Sequence, residues 1–249
     1  MRKKEPEVNY FASMTDMVVG ILFIFIIMIA YFAFQVSSAK EDNPLTKYKN
    51  KVEIFKKEIA QQVVDELKQH NIEAQVSPKN PGVVTLKGSG LFLSGDSSIE
   101  AQPGTKDKID FLSDVIAKKI QCIVYKGAAP NCINKDKIFL DAIFIEGHTD
   151  NIVPSRTLND GSKNNLELSA KRATNTYSEM VQKNPIFSSF KNLDDEQILN
   201  VSGYGEHRPA ESNATPAGQE ANRRIDIRFV MWIPETENDL LKYTQPDKN

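Results

Sequence analysis

The chain has no surplus of positive charge: 31 basic residues stand against 33 acidic ones over 249 positions, a formal net charge of −2. A sequence-independent grip on nucleic acid needs a basic excess, so DNA and RNA drop out as partners. Phosphate-cradling glycine motifs are also missing, because Gly203-Tyr204-Gly205 lacks the further glycine and helix that a dinucleotide loop needs. No nucleophile elbow, internal repeat or low-complexity tract is present. Cysteine is scarce, and Cys122 and Cys132 allow one intramolecular pairing. Two readings of them stay open: a disulfide closing a small loop in an oxidising compartment, or two buried thiols. A metal site is disfavoured, since no histidine lies near them in sequence and their spacing fits no zinc motif.

What the chain does have is one segment, Met17 to Phe34, without a single charge. As a helix these residues reach about 27 Å at ~1.5 Å each, close to the ~30 Å hydrocarbon core of a bilayer. A cleaved signal peptide competes with this reading, because Ser37-Ser38-Ala39 resembles a cleavage site, but signal cores run only ~7–15 apolar residues. Arg2, Lys3 and Lys4 precede the span, whereas Lys40, Glu41 and Asp42 follow it, which predicts a cytoplasmic N-terminus and a periplasmic remainder.

After a polar run from Ser37 to Pro44, Leu45, Tyr48, Val52, Phe55 and Ile59 recur at helical spacing and predict an amphipathic helix over about 45–70. Its stripe suits either a coiled coil or packing on the domain that follows. Val83–Leu86 and Leu91–Leu93 read as short strands, and a helix after Pro103-Gly104 buries Ile109, Leu112, Val115, Ile116 and Ile120. A strand over Ile138–Glu146, a helix over Leu166–Gln182 and strands over Ile198–Tyr204 and Ile225–Trp232 complete an α+β fold, a mixed sheet with helices packed on one face. Pro234 to Asn249 reads as a polar tail without regular structure.

Chemistry is concentrated in two places. Asp16 is a carboxylate at the cytoplasmic edge of an apolar helix, where ionisable groups are expensive and point to ion or proton transfer. An interfacial role or an N-cap role accounts for it equally well. Asn9, Ala12, Ser13, Gly20, Phe23 and Ile27 share its helical face, and the small residues among them allow close approach of partner helices. The second place is Ile145-Glu-Gly-His-Thr-Asp150 together with Asn165, Leu168-Ser169 and Arg172-Ala173. A carboxylate at a strand end and an arginine on the next helix suit a zwitterionic ligand, or else pair with each other as a structural salt bridge.

The segment from about Val83 to Trp232 resembles the OmpA-like peptidoglycan-binding domain. The likeness is carried by Gly147-His-Thr-Asp150, Leu168-Ser169, Arg172-Ala173, Gly203, Gly205-Glu206, Pro209 and Asn222-Arg-Arg224. It implies that Asp150 and Arg172 hold the diaminopimelate of the peptidoglycan stem peptide, that Asn165 and Thr149 line the same pocket, and that Leu168 and Arg223 or Arg224 support it. Two departures stand out: the loop Asn151–Asn164 is longer than usual, and the Cys122–Cys132 segment reads as an insertion.

One N-terminal span with an aspartate, followed by such a domain, resembles the MotB family of ion-driven stator subunits. The phrase Ala12-Ser-Met-Thr-Asp-Met-Val-Val-Gly-Ile-Leu-Phe-Ile-Phe25 and the short segment before Asp16 are closer to the ZorB branch of Zorya anti-phage defence systems, with a flagellar or other MotB-like stator as the alternative. The resemblance implies a homodimer inside a ring of MotA-like (ZorA-like) membrane subunits, peptidoglycan as anchor, and a translocated proton or sodium ion on Asp16 in place of any cofactor. The expected organisation is a cytoplasmic 1–15, a transmembrane helix over 16–36, a periplasmic linker helix region over 37–80, the OmpA-like domain over 81–233 and a tail over 234–249. A passive wall anchor competes with the motor, but it needs neither an acid in the membrane nor a small-residue face. A hydrolase built on His148 and Asp150 lacks a nucleophile beside them, so no catalytic residue and no enzyme is expected.

Overall fold

The computed structural model describes residues 10–244 and, among these, the side chains of 14–37 and 43–244. Arg2, Lys3, Lys4 and Asn9, the side chains of Ala12, Ser13, Lys40, Glu41 and Asp42, and positions 245–249 lie outside the described residues. The chain divides into two compact units, Met1–Asn50 and Lys51–Asn249.

In the first unit, helix α1 spans Tyr10–Asp42. Its stretch Met14–Ser37 is long and apolar enough to cross a bilayer, and none of its most apolar window is buried. Because α1 starts at Tyr10, Asp16 lies inside the helix, which rules out the N-cap reading. The polar run after Ser37 stays helical to Asp42, and the break comes at Asn43-Pro44. There Asn43 Oδ1 accepts the backbone N–H groups of Leu45 (2.8 Å) and Thr46 (3.1 Å), while Pro44 sits where a helix needs no N–H. Helix α2, Pro44–Gln69, therefore begins with both a cap and a proline start.

The second unit is built on a five-stranded sheet in the order β1-β2-β5-β3-β4, with β1 Ala74–Val76, β2 Val83–Lys87, β3 Leu140–His148, β4 Leu199–Gly203 and β5 Arg224–Met231. All neighbours are antiparallel except β3 and β4, whose parallel pairing requires a crossover. Helix α4, Asn165–Lys183, provides it, and α3, Thr105–Ile120, packs beside α4. The apolar positions of the strands, Ile143, Ile145, Ile227 and Phe229, are buried, as are Leu168, Ala173 and Met180 of α4 and Ile109, Leu112 and Ile116 of α3. At ~1.5–3 kcal/mol for each large apolar side chain, this layer dominates the favourable side of folding.

The stripe of α2 is settled in favour of packing on the domain. Val52, Ile59, Val63 and Leu67 are buried, α2 meets α3 through the Lys119–Glu66 ion pair at 2.6 Å, and His70, just past the end of α2, stacks near Phe111 of α3. Cys122 and Cys132 are joined in a disulfide between α3 and β3. Two expectations are corrected. Leu91–Leu93 is not a strand: a 3-10 turn at Gly88–Gly90 leads into irregular chain, in which Leu91 and Phe92 are buried as packing residues. The tail is not without structure, because Glu237–Thr244 forms helix α6, which buries Leu240 and starts on a Thr236–Asp239 cap.

Candidate functional site

Two glycines decide where α4 sits on the sheet. Gly147 and Gly203 face each other across the β3–β4 pair, and a Cβ at Gly147 would stand 2.0 Å from the Ser169 carbonyl oxygen. At Gly203 it would meet the backbone nitrogen of Ala170 at 2.7 Å. Only bare backbone admits the first turns of α4 this close to the strands. The helix start is fixed as well, by Asn164, whose side chain accepts the Glu167 N–H at 2.9 Å, and by Glu167, which reaches back to the Lys163 N–H at 2.8 Å. Asn165, Leu168 and Arg172 are thereby held beside the end of β3, where Thr149 and Asp150 leave the sheet.

These residues line one cleft of about 160 Å³ together with Ser94, Gly95, Ile152, Pro154, Leu158 and Arg223. Asp150 is 7% exposed; its Oδ1 accepts the Ile152 N–H at 3.0 Å and its Oδ2 pairs with Arg223. Arg172, 4% exposed, does not pair with Asp150 as the salt-bridge reading required. Its Nε donates to the Asp96 carbonyl at 2.8 Å and its Nη2 to the Leu93 carbonyl at 2.9 Å, with the guanidinium over the Phe92 ring. Burial pulls Arg172 down to about 10, which leaves it charged at neutral pH. Asn165 braces the opposite wall by donating to the carbonyls of Asp150 (3.2 Å) and Ile152 (3.0 Å). The Thr149 hydroxyl is buried with no hydrogen-bond partner, while its N–H donates to Gly205. A buried anion, a buried cation and an unsatisfied hydroxyl around one small space suit a compact ligand carrying both charges.

Of the paired arginines, Arg223 reaches this cleft and Arg224 does not. Arg223 caps helix α5, Pro216–Asn222, whereas Arg224 is the first residue of β5 and turns to the face of the sheet away from α4. There Arg224 donates to Asp226 at 3.0 Å, Arg228 holds Glu146 through two bonds of 2.8 and 2.7 Å, and Thr85 donates to Asp226 at 2.7 Å. His148 lies in this cluster, stacked on Tyr204. Burial and then the charges of Arg224, Arg208 and Arg228 push its imidazole down to about 3. A histidine so depressed is unprotonated at neutral pH but only a weak general base, which counts against the hydrolase reading. Glu146, His148 and Asp226 approach one another closely enough to share a cation. Their two carboxylates are already neutralised by two arginines, so a dication there would bring uncompensated buried charge.

Sequence reasoning missed the loop from Leu93 to Asp96 that clasps Arg172, and it missed Glu220, which pairs with Arg223 from one turn earlier on α5. The loop has no periodicity to mark it. Glu220 carried a readable signal, its i,i+3 spacing to Arg223.

The sequence profile of the OmpA family matches residues 91–223, which include every residue lining the cleft. Motility protein B of Bacillus subtilis (strain 168) is 28% identical over 193 residues, covering 77% of this chain. The chain spans 58% of that relative's length. Among solved structures, a MotB-like protein from Desulfovibrio vulgaris aligns with a TM-score of 0.46 at 21% identity, covering 70% of this chain and 94% of its own. The periplasmic domain of Helicobacter pylori MotB aligns with a TM-score of 0.42 at 19% identity, covering 66% and 87%.

Proposed function

The chain belongs to the OmpA family, and from that premise we propose that it is the MotB-like subunit of an ion-driven inner-membrane stator, gripping peptidoglycan with its cleft and carrying the translocated ion on Asp16. The single observation that carries this reading is the joining, in one chain, of a cleft with opposed buried charges to an apolar helix that holds a carboxylate at position 16. Similarity to Motility protein B over more residues than the family profile matches supports the same reading.

In this mechanism Asp150 takes the ammonium and Arg172 the carboxylate of the stem-peptide diamino acid, with Thr149, Asn165 and Leu168 shaping the pocket. Wall attachment stops the subunit from turning with a ring of MotA-like partners, which encloses two copies of α1. Each ion that passes Asp16 delivers ~2.3 kcal/mol per ~100 mV, enough to bias one conformational step. The N-terminus lies in the cytoplasm and the cleft in the periplasm, where the Cys122–Cys132 disulfide persists. The Ala12–Phe25 phrase supports a ZorB-type subunit paired with a ZorA-like ring in anti-phage defence; motility is the alternative output.

Asp16→Asn keeps shape and hydrogen-bonding capacity but cannot titrate. The variant is expected to insert, to co-purify with its MotA-like partner and to sediment with peptidoglycan, yet to lose phage protection, or motility where that is the output. Wild-type activity in an assembled Asp16→Asn complex leaves only a passive anchor.

A further inference from the structure

The carboxylate assigned to the ligand's ammonium group is already occupied. Asp150 Oδ1 accepts the Ile152 N–H, and Oδ2 is paired with Arg223. An incoming cation must therefore take the position that Arg223 fills. Arg223 is held at its other end too, where Nη2 pairs with Glu220. The two anions oppose burial, which pulls the guanidinium down, and together they keep it more firmly charged than usual.

The backbone of Arg223 is pinned. Its carbonyl accepts the Gly88 N–H at 2.7 Å, its N–H donates to the Gln219 carbonyl at 3.1 Å, and a Cβ at Gly88 would lie 2.6 Å from the Arg223 carbonyl oxygen. The side chain, by contrast, has somewhere to go. It stands between the cleft of about 160 Å³ and a second space of about 490 Å³, lined by Ser89, Phe92, Gln102 and Glu220 and bounded by the same Arg172 and Arg223.

We propose, resting on the reading of the cleft given above, that Arg223 is a displaceable internal cation filling the ligand's ammonium position, and that Glu220 is the specificity-determining residue that receives it. When the ligand's ammonium group reaches Asp150, the Arg223 side chain turns toward Glu220 and the second space. Exchanging one cation for another on Asp150 is nearly neutral in Coulomb energy, so the balance depends on what the released guanidinium meets. At Glu220 it keeps an anionic partner.

Charge counting gives the selectivity. Among the side chains lining the two spaces, Asp150 and Glu220 match Arg172 and Arg223, and the charges outside the lining, Asp96 and Asp160 near Arg172 and Lys87 near Glu220, are the same whatever binds. A zwitterion leaves this balance unchanged, whereas an amine without a carboxylate leaves excess positive charge beside Arg172. Arg223 thus works against simple amines and favours amino acids.

The test uses the full chain in detergent micelles and two probes that share a five-carbon chain with an amine at each end: meso-diaminopimelate, and cadaverine, which lacks both carboxylates. Calorimetry on the wild type should find cadaverine at least about tenfold weaker than diaminopimelate. Arg223→Gln should tighten cadaverine about fivefold or more, because Asp150 is freed. Glu220→Gln should weaken diaminopimelate about threefold or more, because the displaced Arg223 loses its receiver. Asp150→Asn separates the two ideas. If it binds diaminopimelate like the wild type, or if the wild type does not bind it, the cleft reading falls and the proposal falls with it. If Asp150→Asn abolishes binding while Arg223→Gln weakens cadaverine, or while Glu220→Gln leaves diaminopimelate unchanged, the cleft stands and the displaced-cation proposal is overturned. Should Arg223→Gln fail to fold by circular dichroism, Arg223→Met, which keeps the apolar stem and removes the cation, must tighten cadaverine in the same direction; unchanged affinity overturns the proposal.

Discussion

Helix α1 and the sheet domain handle their charged groups in opposite ways. From Met14 to Ser37 every side chain of α1 is exposed, Asp16 included, so under the proposed function the surroundings that give this carboxylate its role are lipid and partner helices. In the domain, Asp150 and Arg172 are buried and aimed by contacts within the chain itself. Under the proposed function the first region is half of a site that another protein completes, whereas the second builds its site from this chain alone.

The contrast is sharpest at glycine. Gly147→Ala forces a methyl group into the Ser169 carbonyl, so urea unfolding should show a loss of more than about 4 kcal/mol, or no folded protein at all. Gly20→Ala has no neighbour within 4 Å. It should leave the melting curve unchanged and act only on co-purification with the partner ring. A folding defect from Gly20→Ala would break the comparison.

Arg172→Ala strips donors from the Leu93 and Asp96 carbonyls. It should lower stability by about 2–4 kcal/mol in thermal melts and release the protein from peptidoglycan. A smaller effect follows from the disulfide: Cys122→Ser with Cys132→Ser should cost about 2–3 kcal/mol in denaturant titrations, the closure entropy of a short loop. In unreduced wild-type protein, neither cysteine should label with maleimide after unfolding.

The smallest effect is pH-dependent. His148 has its folded value pushed down to about 3 against an ordinary 6.5 when unfolded, so the unfolded chain takes up the proton first as pH falls. The stability that neutral His148 permits is complete above pH 6.5 and is lost progressively between 6.5 and 3. Its share of the drop from pH 7 to pH 5 is about 2 kcal/mol. The stability difference between the two pH values should therefore narrow by that amount in His148→Gln, and an unchanged gap would refute the assignment.

Much of this was legible before the structure, for physical reasons that differ by element. The strands at Val83, Leu140 and Arg224 announce themselves through β-branched runs or strict alternation, and α3 and α4 through a one-sided apolar stripe. Strand β1 is three residues long and α5 is seven, too short for either period to emerge. Leu91–Leu93 misled because a buried loop is as apolar as a strand. At the site, the motif residues Thr149, Asp150, Asn165, Leu168, Arg172 and Arg223 do converge. Which of two adjacent arginines turns inward was not legible, since that depends on β5 beginning at Arg224. Nor was the occupation of Asp150 by Arg223, which links positions 73 residues apart.

The most direct test of the division of labour is co-sedimentation of the full chain with purified peptidoglycan, comparing wild type, Asp16→Asn and Asp150→Ala. The account predicts that Asp16→Asn pellets like the wild type while Asp150→Ala stays in the supernatant. An Asp150→Ala protein that pellets with the wall, or an Asp16→Asn protein that does not, contradicts it.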